Sequence, residues 1–333
     1  MAIKKVYLTN EEVRDTFQYS TNTGRLSFYF VNKSGERYYY KANNKYSFSY
    51  NEIMGSILAK AIGIPHVTPS PCFYTHEDGK EYSGVISKDY VKDRATTEII
   101  SLYHIVENYN NLQHPTVESI MSALSFYIYQ LKQKGFDAHL DDNMENHLKK
   151  MALFMYVTGQ QDFNFSNIEF ISTKENDGSI SLKLAPFFDH SICFYNMLHD
   201  YVDNSKIRQD PKYEISKLKF FMMLTEDNHD IYSYKRIIRE LGVEIATNPQ
   251  IKDLFGKIYK LDFQKEIELY LKENPEVTLQ NVHMERAVLY FENSKEMLAE
   301  MVERLDKNYM DELKSQKVLK PVELKKPIER ELN

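Results

Sequence analysis

The stretch that most constrains the fold is residues 151–193, where a helical pattern gives way to a hairpin pattern. An apolar run at its start predicts a helix, and Gly159 ends that helix. After a polar loop, residues 168–171 and 182–185 predict two strands. Residues 175–179 predict the turn that joins them. The polar loop and the end of the second strand should therefore meet at the mouth of one hairpin.

Three polar residues are brought to that mouth. Asp162 and Asn167 lie in the loop, and Asp189 follows the second strand just beyond Pro186. Phosphoryl transfer uses such a trio, because one carboxylate orients or deprotonates an acceptor hydroxyl while an amide oxygen and a second carboxylate hold magnesium on the phosphates. The alternative is a surface hairpin whose Asp and Asn side chains satisfy turn backbone, and spacing alone leaves both interpretations open.

Composition narrows the class of protein. The chain has 333 residues, enough for two domains or lobes, and its 42% hydrophobic content is typical of a globular protein. A net charge of -6 argues against a nucleic-acid binder that relies on bulk electrostatics. The two cysteines, Cys72 and Cys193, make neither a disulfide framework nor a metal cluster, which suits a reducing compartment.

The N-terminal sequence and the hydropathy pattern bear on location. The segment MAIKKVYLTNEEV lacks the apolar core of a signal peptide. No apolar run approaches the ~18–20 residues that a membrane-spanning helix needs. We therefore expect a soluble cytoplasmic protein without a membrane partner, and export as an effector stays open.

Residues 1–95 are dominated by strand and turn patterns. Residues 25–31 and 37–42 predict a hairpin, and residues 67–74 and 81–86 predict a second one. A small polar loop precedes the first hairpin, and its backbone N–H groups could bind phosphate, although an ordinary turn is the alternative. The residues of this loop are Ser20, Thr21, Asn22, Thr23 and Gly24.

Two charged residues of this region form a candidate pair. Lys41 lies on the second strand of the first hairpin, and Glu52 lies in the first turn of a helix predicted over 51–62. Kinases pair a sheet lysine with a helix glutamate in this order. The alternatives are a solvated lysine at a sheet edge and a glutamate that only closes a capping box.

Beyond about residue 95 the pattern becomes helical. The tail from about 312 alternates charges and contains two prolines, so it predicts a loosely docked extension. The chain thus divides into a small β-rich part (1–95), a large helical part (96–311) and a charged tail (312–333), an α+β organisation. The predicted helices span 97–108, 116–134, 143–157, 213–224, 231–241, 248–256, 260–273 and 278–308.

Taken in order, these motifs resemble those of the HipA-like Ser/Thr kinases. The family loop runs approximately Gly-Asn-x-Asp-x-His-x-x-Asn, and the strand after it ends in Ala-Pro-Φ-Φ-Asp, where Φ is apolar. This chain has GQQDFNFSN at 159–167 and APFFD at 185–189. Gln160 and Asn164 depart from the family's Asn and His. The resemblance covers roughly residues 15–200, and the short N-terminal part is similar to that of HipT-like and translocated-kinase-like members, which lack an extra N-terminal subdomain.

The resemblance implies a two-lobed protein-kinase-like fold, with a small β-rich N-lobe over 1–95 and a large, mainly helical C-lobe over 96–311. It implies that Lys41 contacts the α- and β-phosphates of ATP and is held by Glu52. The polar loop at 20–24 would cover the phosphates.

The remaining site residues follow from the same resemblance. The segment between the lobes, with Ile86, Lys88 and Tyr90, would offer main-chain groups to adenine. Asp162 would orient the acceptor hydroxyl. Asn167 and Asp189 would hold Mg²⁺.

The resemblance also implies partners. The reaction would be ATP-dependent phosphorylation of a protein hydroxyl in a bacterial cytoplasm, and aminoacyl-tRNA synthetases are the family precedent for the substrate. Many members are toxins paired with a small DNA-binding antitoxin. Ser20, Thr21 and Thr23 are candidate autophosphorylation sites, because family members modify such a loop. Direct nucleic-acid binding by this chain is not expected.

Three other functions stay open at the level of sequence. The departures at Gln160 and Asn164 favour a pseudokinase that binds nucleotide without transferring phosphate. A small-molecule kinase shares the lobes, but it usually carries a second acid two residues after the metal aspartate, whereas Ser191 stands at that position here. The third alternative is an unrelated α+β protein whose motifs match by chance.

Overall fold

The computed structural model shows two β-sheets and the helices packed against them. The part of the chain that the structure describes consists of residues 6–9, 26–43, 49–76, 79–91, 93–107, 116–160, 165–188, 193–194, 234–275, 277, 279 and 281–316.

The first sheet contains both predicted hairpins. Its strands are β1 (Val6–Thr9), β2 (Ser27–Val31), β3 (Arg37–Ala42), β4 (Pro69–Thr75) and β5 (Glu81–Lys88). They lie in the order β1–β4–β5–β3–β2, and only the β1–β4 pairing is parallel. The hairpins predicted at 25–31/37–42 and 67–74/81–86 are confirmed as β2–β3 and β4–β5, and β3 and β5 are inner strands.

Local chemistry explains the β2–β3 turn. The Asn32 side chain accepts hydrogen bonds from the backbone N–H groups of Ser34 (3.0 Å) and Glu36 (2.8 Å). Gly35 has a φ of 78°, which a residue with a Cβ seldom adopts. One face of the sheet is aromatic: the ring of Phe28 lies 4.8 Å from that of Tyr40 and 4.9 Å from that of Tyr74, measured between centroids.

The helix predicted over 51–62 is α1 (Ser49–Ile62). It ends at Gly63, which has a φ of 78°. Gly63 N donates to Lys60 O (3.2 Å) and Ile64 N donates to Ala59 O (2.9 Å), the pair of bonds that defines a Schellman cap. The buried face of α1 packs into the same core as the C-terminal helices.

The second sheet corrects one prediction. Its strands are β6 (Thr97–Ser101), β7 (Ala138–Leu140), β8 (Glu169–Lys174) and β9 (Ile180–Leu184), in the order β6–β8–β9–β7. The helix predicted over 97–108 is wrong in its first half, because residues 97–101 pair antiparallel with β8. Only α2 (Leu102–Val106), capped by Ser101, is helical. The strand β7, which pairs parallel with β9, was not predicted.

The later helices confirm most of the helical predictions. The helix predicted over 213–224 lies outside the described residues. The observed helices are α3 (Val117–Gln133), α4 (Met144–Thr158), α5 (Tyr234–Thr247), α6 (Pro249–Lys260), α7 (Phe263–Glu273), α8 (Asn281–Leu305) and α9 (Lys307–Gln316).

The helix α9 was not predicted and shortens the expected tail. Its Met310 and Leu313 are buried, and Tyr309 donates from its hydroxyl to Lys252 O on α6 (2.7 Å). Residues 312–316 are therefore helical, and residues 317–333 lie outside the described part. Among the described helices, none combines the length and the apolar character that a bilayer span requires.

Candidate functional site

Lys41 and Glu52 form an ion pair between β3 and α1. The Lys41 Nζ lies 2.8 Å from Glu52 Oε1, and the two side chains are only 12% and 7% exposed. Lys41 is opposite Ser27 on β2 and Val85 on β5, so it lies on an inner strand. The alternative of a solvated edge lysine is therefore wrong. Removing either partner would leave a charge largely shielded from water.

Gly84 permits the close approach of β5 to this lysine. A Cβ built on Gly84 would lie 2.2 Å from Lys41 O, so no other residue fits without a backbone shift. Sequence reasoning did not identify Gly84. The signal was present, because an isolated glycine inside a strand pattern marks a close backbone approach.

A buried hydrogen-bonded chain links α1 to two other segments. Asn51 Nδ2 donates to Cys193 O (3.2 Å), and Cys193 Sγ donates to Gln160 Oε1 (2.8 Å). Phe194 N donates to Thr158 O (2.7 Å). Asn51, Gln160 and Cys193 are all buried. The residue beside Glu52 is thus connected to the start of the loop that contains Asp162 and to a residue four positions after Asp189.

The connection that follows α1 is also bonded to the segment that follows β9. Phe187 N donates to Pro65 O (2.9 Å), and Val67 N donates to Phe187 O (2.8 Å). These bonds place the APFFD segment beside the connection between α1 and β4. Asn51 in the first turn of α1 and the connection after its last turn are therefore both bonded to the segment that follows β9.

Gly159 sets the start of the predicted catalytic loop. It ends α4 in the left-handed conformation, with a φ of 61°. A Cβ on Gly159 would lie 2.6 Å from the Tyr290 ring, whose hydroxyl donates to Tyr156 O (2.9 Å). The residue that the sequence predicts as a helix end is thus also held by packing against α8.

Asn167 lies in a cleft beside the hairpin. It ends a short 3₁₀ turn (Phe165–Asn167) directly before β8. Glu169 and residues 185–188 also line this cleft. Asp189 follows directly in the sequence. Within the described residues, no group of three or more His, Cys, Asp and Glu side chains is arranged to hold a metal.

The strand β5 leads into the segment predicted to contact adenine. Ile86 is opposite Tyr40 on β3 and Ser70 on β4, so it has strand neighbours on both sides. The Lys88 side chain forms an exposed ion pair with Glu36 in the β2–β3 turn. The main-chain role of these residues toward adenine stays a prediction.

Tyr90 joins this segment to β8. Its hydroxyl donates to the Glu169 carboxylate. Burial raises the pKa of Glu169 above the ordinary glutamate value, despite the hydrogen bond from Tyr90. Burial, together with the nearby Glu169 charge, raises the pKa of Tyr90 as well. The pair is therefore a partly desolvated contact between the two sheets.

The other predicted site residues lie outside the described part of the chain. They are the catalytic Asp162, the metal ligand Asp189 and the phosphate-loop residues Ser20, Thr21, Asn22, Thr23 and Gly24.

Comparison with known proteins gives matches at the level of structure. No family model and no curated protein matches the sequence. The Helicobacter pylori proinflammatory kinase CtkA aligns with 95% of this chain and 100% of its own, at 14% identity and a TM-score of 0.60.

Two further matches are weaker. HipA of Shewanella oneidensis MR-1, in a toxin–antitoxin complex with HipB and operator DNA, aligns with 90% of this chain and 68% of its own, at 13% identity and a TM-score of 0.46. The Golgi casein kinase with Mn/ADP bound aligns with 93% and 75%, at 10% identity and a TM-score of 0.44. The match to CtkA shows that the chain has the two-lobed, protein-kinase-like α+β fold that its resemblance to the HipA-like kinases predicts.

Proposed function

We propose that this chain is an ATP-dependent Ser/Thr protein kinase of the HipA-like type. The ion pair between Lys41 and Glu52 carries the proposal. A lysine on an inner strand, held by a glutamate on the following helix, is the arrangement that positions nucleotide phosphates in protein kinases. The fold shared with the kinase CtkA supports it.

In this mechanism the chain's residues mainly bind and orient. Lys41 binds the α- and β-phosphates, and the loop at 20–24 covers them. Main-chain groups of residues 86–90 bind adenine. Asp162 orients the acceptor hydroxyl and takes its proton as that oxygen bonds to the γ-phosphorus and the bond from the γ-phosphorus to the oxygen of ADP breaks. Placement matters most, because a small misplacement of the carboxylate costs orders of magnitude in rate.

The donor set suits magnesium. Asn167 offers an amide oxygen at the cleft and Asp189 a carboxylate directly after the last described residue of its wall, and hard oxygen donors are the ligands that Mg²⁺ prefers. Bound Mg²⁺ would neutralise charge on the phosphates.

A nucleotide-binding pseudokinase is the second candidate. Asn164, where the family has a histidine, favours it. Gln160, the other departure, does not favour it equally, because its buried side chain accepts a hydrogen bond from Cys193 and so has a structural partner. The family's histidine mainly braces the loop, so its loss should affect rate more than reaction type.

The partners follow from the sequence resemblance. We propose a protein substrate, with an aminoacyl-tRNA synthetase as the first candidate, and a small DNA-binding antitoxin as partner in a bacterial cytoplasm. The HipA neighbour is itself bound to HipB and operator DNA. If the chain were instead a small-molecule kinase, no protein in a host lysate would gain phosphate from Mg-ATP.

The direct test replaces Asp162 by alanine. Asp162→Ala should lower phosphate transfer by about 10²–10⁴-fold, because the acceptor hydroxyl loses its base, while Mg-ATP binding stays close to that of the wild type. Transfer is read by mass spectrometry after incubation with Mg-ATP, with and without host lysate. A mass gain on Ser20, Thr21 or Thr23 would reveal autophosphorylation.

The control is Asp311→Ala, which removes an exposed carboxylate from α9 and should keep full transfer. Full transfer by Asp162→Ala would remove Asp162 from the mechanism. Nucleotide binding by the wild type without any transfer would establish the pseudokinase, and absence of binding would overturn both candidates.

A further inference from the structure

A second, larger cavity lies outside the proposed nucleotide site. Its volume is about 520 Å³, and it lies between the end of α1, helix α4, the end of β9 and helix α6. This volume is in the range of small-molecule sites, which are roughly 300–1,000 Å³. Of the residues to which we assign nucleotide or metal contacts, those that the structure describes do not line it.

One part of its wall is apolar. Ile62 and Ile64 from the end of α1 and Leu254 from α6 are each at most 5% exposed. Leu184 and Phe187 complete this surface at the end of β9. The wall therefore offers apolar side chains against which an apolar body could pack.

In the described part of the chain, the polar wall of the cavity contains one lysine that has no carboxylate partner, Lys150. Lys150 Nζ donates to Gln250 Oε1 (2.7 Å), which is a neutral amide. Among the described residues, no carboxylate lies within ion-pair distance of Lys150. Lys257, on the rim, is paired with Asp253 at 2.9 Å.

Lys149, the residue before Lys150, differs from it in having carboxylate partners. Lys149 pairs with Glu145 at 2.7 Å and with Glu244 at 2.9 Å, and it does not line the cavity. Of these two consecutive lysines of α4, the first is neutralised by carboxylates, and the second lines the cavity and donates to the amide of Gln250.

We propose that this cavity binds a small amphipathic anion. Its apolar body packs against Ile64, Leu184 and Leu254, and its carboxylate, phosphate or sulfonate accepts hydrogen bonds from Lys150. Leu184, Ala185 and Phe187 line both this cavity and the cleft at Asn167. A bound anion therefore contacts the strand that leads to Asp189, while occupying a place of its own. This inference does not depend on the proposed kinase activity.

The test uses anilinonaphthalene sulfonate, a fluorescent amphipathic anion, titrated against the full chain. The chain contains no Trp, so no indole emission overlaps the signal. We expect one bound dye per chain, with affinity about tenfold weaker in Lys150→Ala, because a charge-assisted contact is lost. The matched variant Lys149→Ala should bind as the wild type does, and saturating Mg-ADP should leave the dye bound.

Circular dichroism of both variants checks that they are folded. Lys149→Ala loses two ion pairs and Lys150→Ala loses none, so a selective loss of dye binding in Lys150→Ala cannot arise from general instability. Equal affinity in Lys150→Ala and the wild type would overturn the proposal. So would displacement of the dye by Mg-ADP, which would assign the dye to the nucleotide cleft.

Discussion

The described residues form two hydrophobic clusters, one of which includes residues of the strand that carries Lys41 and the other residues of the helix that carries Glu52. The small cluster lies on the first sheet, and the strand that carries Lys41 contributes Tyr40 and Ala42 to it. The large cluster contains the C-terminal helices, and it also contains the apolar face of α1, the helix that carries Glu52. The members of the small cluster are Leu8, Phe28, Phe30, Tyr40, Ala42, Cys72, Tyr74 and Ile86.

This difference shows which parts should move together. Helix α1 is bonded through Asn51 to Cys193, and the connection that follows the helix is bonded to Phe187, so both contacts hold it to the segment that follows β9. Val85, which is opposite Lys41 on β5, belongs to the large cluster, so the Lys41–Glu52 distance reports the position of α1 relative to β3. Each of the tests that follow perturbs one cluster or one contact and measures the effect on the others.

The largest expected effect comes from the small cluster. Phe28 is fully buried, and Phe28→Ala should lower the free energy of unfolding of the sheet by about 3–5 kcal/mol through lost burial and a cavity. Hydrogen exchange should accelerate in β2 and β3 and stay unchanged in α1, which belongs to the other core.

The control for this substitution is Phe136→Ala, which removes an exposed ring and should change stability by less than about 0.5 kcal/mol. Equal acceleration of exchange in α1 and in β3 would show that the two clusters unfold as one unit, contrary to the comparison.

An intermediate effect on stability is expected at the hydrogen bond between Asn51 and Cys193. Asn51→Ala removes the buried donor to Cys193 O, so we expect a loss of about 1–3 kcal/mol in urea unfolding. The exposed Asn43, which donates to Ser83 Oγ, provides the matched control Asn43→Ala, with a smaller expected loss. Identical midpoints for the two variants would deny Asn51 a role in fixing α1.

The smallest expected effect concerns how the stability of the protein depends on pH. The pKa of Glu169 is raised in the folded state, so its contribution to stability is fully present below the ordinary glutamate pKa and is lost as pH rises through the folded value. Glu169→Gln keeps an acceptor for Tyr90 and does not titrate. The stability of the wild type relative to Glu169→Gln should therefore fall as pH rises above the ordinary glutamate pKa.

Thermal unfolding of both proteins across this range measures the difference. A difference that does not change with pH, or a wild type that gains relative stability as pH rises, would contradict the raised pKa. Tyr90→Phe, which removes the donor to Glu169, tests the same contact from the other side.

The sequence predicted the elements whose structure depends on residues close to one another along the chain. The β2–β3 hairpin and α1 have clear periodicity and glycines at their ends, and both were found. Residues 97–101 were mistaken for helix because their strand character depends on pairing with β8, a contact distant in sequence. The helix α9 was obscured by its alternating charges, since only Met310 and Leu313 are buried.

The candidate site likewise contains residues that the sequence identified and contacts that it did not. The kinase-like order of Lys41 and Glu52 suggested their pairing, while the sequence alone left a solvated lysine and a capping glutamate open. The contacts of Asn51 with Cys193 and of Cys193 with Gln160 join residues 142 and 33 positions apart, and no local pattern encodes them. Gly84 was recognisable in principle, but its reason, the backbone of Lys41, is visible only in the folded sheet.

The most direct measurement is calorimetric titration of Mg-ADP into the wild type and Lys41→Met. We predict one site in the wild type and at least about tenfold weaker binding in the variant, because a phosphate-binding cation is lost. Lys80→Met, which removes an exposed lysine from the turn just before β5, should bind like the wild type. Adding Glu52→Gln to Lys41→Met should recover stability but not affinity. Equal affinity of Lys41→Met and wild type, or no binding by the wild type, would contradict the account.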